Sequence, residues 1–416
     1  MNSFLLEYVL SFITSQFNIK HQEMNIFAMV LLFLFFSVTL CYAEPEFSSR
    51  PTNVSLLLIQ LTHEEEKGPV VLGPFGLWNL MAGISFGASS VTKRQINRAF
   101  KLSTDREKFN EQYKNLTNTL FPVNTSEVKA WNENYIFVDK EIRINTYFIE
   151  MLMNDYFALF TAMDFQDQTD AAHQASQIIK SNFPDSENVF SSEDFQDSSF
   201  IMSNVLWFEG SWSSLFNISH TKLELVNSFD GRTGSVSMMQ MKAKVRSSHM
   251  EAMKATVTEL PYGNDGKYCM LLLFPDPKVS MEEVYSNFDK VTFRDIFAKL
   301  QSDEEEFGLK EVEVKLPRFA KRSKLQLRTP LNRMGIFEAF ERKYARFSHI
   351  AEDPYYIESI EHNVVVMVAE TGTIAYATTP GMNRAYTTFR ENKVMPPFTF
   401  FIIEKPTATV LFGGIF

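Results

Sequence analysis

Residues Val364 to Val368 form an unbroken apolar run, Val-Val-Val-Met-Val, in which four of the five side chains are β-branched. Such a run fits a strand buried on both faces, and a strand of that kind needs a sheet around it. Phe398-Thr399-Phe400-Phe401-Ile402-Ile403 and Thr409-Val410-Leu411-Phe412 read as two more strands. A turn over Glu404 to Thr407, containing Pro406, joins them. Between the first run and these two lies Glu370 to Met395, which shows no sustained period. Connections that long inside a compact domain are uncommon, and are usually functional or disordered. The start of this one is patterned. Thr373, Ala375, Ala377 and Thr379 place a small residue at every second position. In a strand they would share one face. The segment reads either as a strand in waiting, with Gly372 as a permissive hinge, or as a disordered surface loop.

The chain has 416 residues, enough for one large domain or two ordinary ones. Hydrophobic content of 45% with 40 Phe points to a broad aromatic core. A net charge of −10 weighs against nucleic acid and anionic membranes as partners. Near the N-terminus, the apolar stretch Val30 to Phe36 leads to Cys41-Tyr42-Ala43 and then Glu44-Pro45. Residues 1–43 therefore read as a signal peptide cut after Ala43, with 44–416 secreted as a single domain. Synthesis from Met1 would give this segment charge from Lys20 and His21; synthesis from Met24 would not. The rival reading, a signal anchor, needs a longer span than Ile26 to Tyr42.

With Cys41 in the signal, Cys269 stands alone, so no internal disulfide is available. Its setting, Tyr268-Cys269-Met270-Leu271-Leu272-Leu273-Phe274, is that of an inert core thiol. Asn53, Asn115, Asn124 and Asn217 open glycosylation sequons.

Helical spacing predicts helices over Val54–His63, from Pro74 through Ile84, after a cap at Ser90, and over Glu107–Leu120, Asn145–Tyr156 and Gln168–Asn182. Pro184 follows the last of these. Strands are expected at Val70–Leu72, Lys129–Val138, Ile201–Phe208, Glu224–Phe229, Ser235–Gln240, Ala252–Leu260, Tyr268–Phe274 and Glu311–Pro317. Met281–Asn287, Thr292–Gln301 and Leu325–Met334 return to helix. Helices first and strands after describe an α+β protein.

Gly83-Ile84-Ser85-Phe86-Gly87 matches the G-x-S-x-G of hydrolase elbows, but its Ser lies inside a predicted helix, whereas the elbow needs a strand before it. Small residues packing helix on helix account for it better. The His residues lack metal-ligand spacing, and no glycine-rich phosphate cradle occurs. Lys321-Arg322-Ser323-Lys324 reads as a solvated turn, with a glycosaminoglycan contact as the alternative.

Five motifs in order resemble the serpin family. Asn204-Val205-Leu206-Trp207-Phe208-Glu209-Gly210-Ser211-Trp212 looks like its N-A-x-Y-F-K-G-x-W, and Ser237-Met238-Met239 follows it. Glu259-Leu260-Pro261-Tyr262 matches E-L-P-Y, and Val314-Lys315-Leu316-Pro317-Arg318-Phe319 looks like V-x-L-P-K-F. Met395-Pro396-Pro397-Phe398 with Leu411-Phe412-Gly413-Gly414 resembles H-P-F and L-F-M-G.

The resemblance implies a serpin fold of three β-sheets and about nine helices, with Glu370 to Met395 as an exposed reactive-centre loop. It puts a hinge at Glu370, Thr371, Gly372, Thr373, Ala375 and Ala377, and a reactive bond at Tyr386-Thr387. Asn204 and His362 fall on the family's shutter positions, and Trp212 on its breach tryptophan. It further implies a monomer with a target serine protease as partner, without cofactor, metal or catalysis of its own. After attack at Tyr386, the hinge would insert as a central strand beside Val364–Val368. A bait tyrosine suggests a chymotrypsin-like target; a slipped register would offer Arg384 to a trypsin-like one. The chain departs from the pattern in three places. Gly73-Pro74-Phe75-Gly76 lacks the usual serines, which thins the shutter hydrogen bonds. Ile374 and Tyr376 replace acidic or small residues, and both are expected to face outward after insertion. Pro380 would cost an inserted strand a ladder bond. A non-inhibitory binding, carrier or signalling role is therefore the alternative.

Overall fold

Alternation governs burial along the Val364 run. Val364, Val366 and Val368 are fully buried, while Val365 and Met367 are half-buried beneath a covering helix. The computed structural model describes residues 47–121, 127–182, 190–196, 198, 200–227, 233–351, 356–357, 360–377 and 398–416. Residues 1–43, read above as a signal peptide, Asn124, Pro184, Pro380, Arg384 and the Tyr386-Thr387 bond lie outside them. No helix among the described residues is long and apolar enough to cross a membrane.

Helix α1 covers residues 47–66 and β1 Val70–Leu72. Then come α2 (Pro74–Gly87), α3 (Ser90–Ala99), α4 (Arg106–Leu120), β2 (Val128–Asp139), α5 (Thr146–Tyr156), β3 (Ala158–Met163), α6 (Gln168–Asn182) and β4 (Phe200–Ser211). Strands β5 (Lys222–Asn227), β6 (Thr233–Lys244), β7 (Ser247–Met250), β8 (Ala255–Tyr262) and β9 (Tyr268–Pro275) follow, then α7 (Met281–Asn287) and α8 (Phe293–Phe307). The chain closes with β10 (Glu311–Pro317), β11 (Phe319–Gln326), α9 (Arg328–Arg333), β12 (Glu361–Ala369), β13 (Gly372–Ala377), β14 (Thr399–Glu404) and β15 (Thr409–Ile415).

Local chemistry sets the ends. Asp105 caps α4, Asn145 caps α5, Ser280 caps α7 and Thr292 with Asp295 makes a capping box on α8. The cap of α3 is Ser89, one residue before the expected Ser90, which instead takes a positive φ of 52°. The strands form three sheets, in the orders β1-β15-β14-β9-β8-β7, β10-β6-β5 and β11-β12-β13-β4-β2-β3. With nine α-helices among the described residues, this matches the α+β, three-sheet architecture that the resemblance implies.

Three expectations need correcting. Strand β3 pairs in parallel with β2, and β7 pairs with β8; neither was anticipated. Lys321–Lys324 is strand, not turn: β11 runs antiparallel to β12 at the sheet edge. Leu325 lies within that strand, which ends at Gln326, so the helix expected from Leu325 reduces to Arg328–Arg333.

Candidate functional site

The hinge does not stand exposed. Strand β12 ends at Ala369, the chain turns at Glu370-Thr371, and β13 runs back antiparallel to β12. On its other side β13 pairs antiparallel with β4, with Gly372 opposite Ser211 and Ala375 opposite Phe208. Gly372–Ala377, at the start of the expected loop, thus form a central strand of the six-stranded mixed sheet, correcting the expectation of an exposed loop from Glu370 onward.

Residue size makes this fit. Gly372, Thr373 and Ala375 are buried. A Cβ on Gly372 would sit 2.1 Å from the carbonyl oxygen of Gly210, so glycine is needed here for space. The expected role as a permissive hinge is not what the geometry uses, because the backbone here is ordinary strand. On the opposite face, Ile374 does not reach open solvent as expected. It is half-buried on an apolar cluster containing Tyr135, Phe137 and Trp207, which α6 covers through Ala172, Ala175 and Ile179.

A set of polar contacts closes the top of the hinge. The Trp212 indole donates to the Ala369 carbonyl at 2.9 Å, and its backbone N–H donates to that of Thr371 at 3.1 Å. Its ring stacks on Tyr262 with centroids 4.6 Å apart. The Tyr262 hydroxyl donates to Thr373 Oγ1 at 2.8 Å, and full burial pushes its pKa well above the ordinary value, so this donor stays protonated. The buried Glu370 carboxylate accepts from Thr221 Oγ1 at 2.8 Å and lies 3.6 Å from Arg318. Tyr262 and Arg318 belong to motifs visible in the sequence. Their service to the hinge was not legible, since each lies over fifty residues away from it.

His362 and Asn204 are not joined to each other. Val364 and Leu206 both pair with Ala377, so His362 and Asn204 lie in the strands on either side of β13. His362 Nε2 accepts the Gly73 N–H at 3.0 Å, and burial pushes its pKa down to about 4, leaving the ring neutral. Asn204 Nδ2 reaches Asn132 Oδ1 and Asn134 Oδ1, each at 2.9 Å, and the Glu133 carbonyl at 3.2 Å. Gly76 makes room for it, since a Cβ there would meet Asn204 Oδ1 at 2.1 Å. Gly73-Pro74-Phe75-Gly76 supplies no serine, and the Gly73 N–H and asparagine amides make these contacts. Asn134 also accepts from Asn79, which accepts from Tyr113, carrying the network into α2 and α4.

The remaining candidates fall elsewhere. Ser85 lies inside α2 and donates to Asn97 Oδ1, so no strand-to-helix elbow presents it. Cys269 is fully buried in β9, and burial raises its thiol pKa well above the usual value. Asn53, Asn115 and Asn217 are exposed, and Ser219 Oγ donates to Asn217 Oδ1 at 2.8 Å within its own sequon. Among the described residues no cluster of three potential metal ligands occurs.

The family model described as Serpin (serine protease inhibitor) matches residues 50–416. Human antithrombin-III is 27% identical, over 83% of this chain and 75% of its own length. Leukocyte elastase inhibitor from Sus scrofa is 26% identical, over 89% of this chain and 98% of its own. Among solved structures, cleaved Serpin 42Da superposes with a TM-score of 0.74 at 22% identity, covering 89% of this chain and 98% of its own, which bears on fold alone. A match along 50–416, the three-sheet architecture and a hinge strand seated between β12 and β4 place the chain in the serpin family.

Proposed function

We propose that the chain is a secreted suicide inhibitor of a chymotrypsin-like serine protease, with Tyr386-Thr387 as the bond offered. The observation that carries this reading is β13 itself: the sheet accepts Gly372–Ala377 in register between both neighbours. A protease attacks the Tyr386 carbonyl and forms an acyl-enzyme. The hinge, withdrawn in the active form, then enters the sheet and carries the tethered protease away before water completes hydrolysis. New ladder hydrogen bonds, burial of Ala375 and packing of Ile374 supply the driving force. The relatives named as inhibitors support protease inhibition, and the N-terminal segment supports secretion.

Incubation with chymotrypsin should give an SDS-stable complex of summed mass, with trypsin giving none. Cleavage in the loop that leaves the protease fully active would overturn the inhibitor reading in favour of a non-inhibitory role. A complex with trypsin alone would shift the bait to Arg384.

A further inference from the structure

Helices α2, α3, α4 and α5 enclose a cavity of about 210 Å³, remote in sequence from the hinge. Phe86, Phe109, Phe148 and Met151 supply apolar lining. Lys93 and Arg106 supply two cations, and both stand over the Phe86 ring, at 5.7 and 5.5 Å from its centroid.

The charges are not balanced. Arg106 donates to the Tyr147 hydroxyl at 2.6 Å and pairs with Asp155 at 3.2 Å. Asp155 also pairs with Lys114 at 3.2 Å, so one carboxylate serves two cations. The half-buried Lys93 makes no ion pair among the described residues. Burial and the neighbouring Arg106 guanidinium together hold its ammonium below the ordinary pKa. Beside it, Asn97 spends its Oδ1 on Ser85, which leaves the amide Nδ2 as a further donor. A half-enclosed site with two cations on an aromatic wall, of which Arg106 shares Asp155 with Lys114 and Lys93 has no carboxylate partner among the described residues, is complementary to an anion with an apolar body. The volume exceeds the roughly 150 Å³ of a cavity that takes up benzene, so one ring with a short acidic arm fits.

We propose that this cavity binds a small organic anion, an aryl or short alkyl carboxylate. Its apolar body packs on Phe86 and Phe109, and Lys93 and Arg106 hold its carboxylate. The site stands independently of the inhibitory reading.

Calorimetric titration of the full chain with 3-phenylpropionate tests the proposal. Saturable binding to one site is expected, with the neutral isostere 3-phenylpropanamide at least about tenfold weaker, as loss of a charge-assisted contact requires. Lys93→Met should weaken the carboxylate about tenfold and leave the amide unchanged. That substitution removes an unbalanced, half-buried charge, so its unfolding midpoint should not fall. No saturation up to about 10 mM would overturn the proposal. So would equal binding of acid and amide to the unmodified chain, equal binding of the acid to Lys93→Met, or binding confined to dextran sulfate.

Discussion

A single methyl group at Gly372 tests the hinge most directly. Backbone geometry fixes the direction of a Cβ, so no rotamer change moves it away from the Gly210 carbonyl oxygen, 2.1 Å off. The Ser211 Cα, at 2.9 Å, blocks the same space. Since both obstacles are backbone, β13 and β4 must part by about 1 Å near Gly372, which breaks roughly two ladder bonds at about 1 kcal/mol each. Overpacking adds about 1–3 kcal/mol, part of which the parting relieves. The sum for Gly372→Ala is about 2–4 kcal/mol against the inserted strand, or roughly 30- to 700-fold in the insertion equilibrium. The exposed turn residue Thr371 provides the control, because Thr371→Ala alters no buried side chain. Titration against chymotrypsin should show more inhibitor consumed per protease blocked, with cleaved, uncomplexed chain accumulating. Thr371→Ala should titrate as the unmodified chain does. If Gly372→Ala gives the same stoichiometry and the same melting behaviour as Thr371→Ala, the close approach of β13 to β4 does not govern insertion.

Two further outcomes follow from neighbouring groups. Trp212→Phe removes the indole donor to Ala369, and should cost the inserted form about 1–2 kcal/mol, measured by urea unfolding. His362 has a folded pKa depressed to about 4, below the ordinary unfolded value of about 6.5. Its contribution is therefore fully present above pH 6.5 and is lost as pH falls toward 4, about 3 kcal/mol in all. Urea midpoints of His362→Gln should lack the part of the slope between pH 7 and 4.5 that this imidazole supplies; an unchanged slope would refute the assignment.

Much of the architecture was legible because its signals are local. Apolar runs such as Val364–Val368 and Tyr268–Phe274, and capping residues such as Asn145 and Thr292, mark their elements without reference to the rest of the chain. The failures have separate causes. At Lys321-Arg322-Ser323-Lys324, charge suggested a turn, but an edge strand tolerates charge on the residues between Phe319, Ser323 and Leu325, which are buried. Strand β3 begins immediately after Phe157, whose left-handed φ of 51° ends α5 and redirects the chain in a single residue. Such a connection leaves no glycine or proline to read. At the hinge, the small residues were visible, but their fit against Gly210 and Tyr262 depends on partners that only the folded sheet brings close.

Under the proposed mechanism, Ile374 bears on how long the molecule keeps its bait. Thr, Ala and Gly transfer between water and a protein interior at little cost, so a hinge made only of them is nearly indifferent to where it sits. An isoleucine is not. In the withdrawn form that the proposed mechanism requires, it leaves that packing; in the sheet, it joins the cluster under α6. Part of its roughly 1.5–3 kcal/mol of burial free energy therefore pulls the uncut strand into the sheet before any protease arrives. Under the proposed mechanism, the residue that quickens the trap also shortens its shelf life, so the lifetime of the uncut molecule responds to a side chain on the covered face.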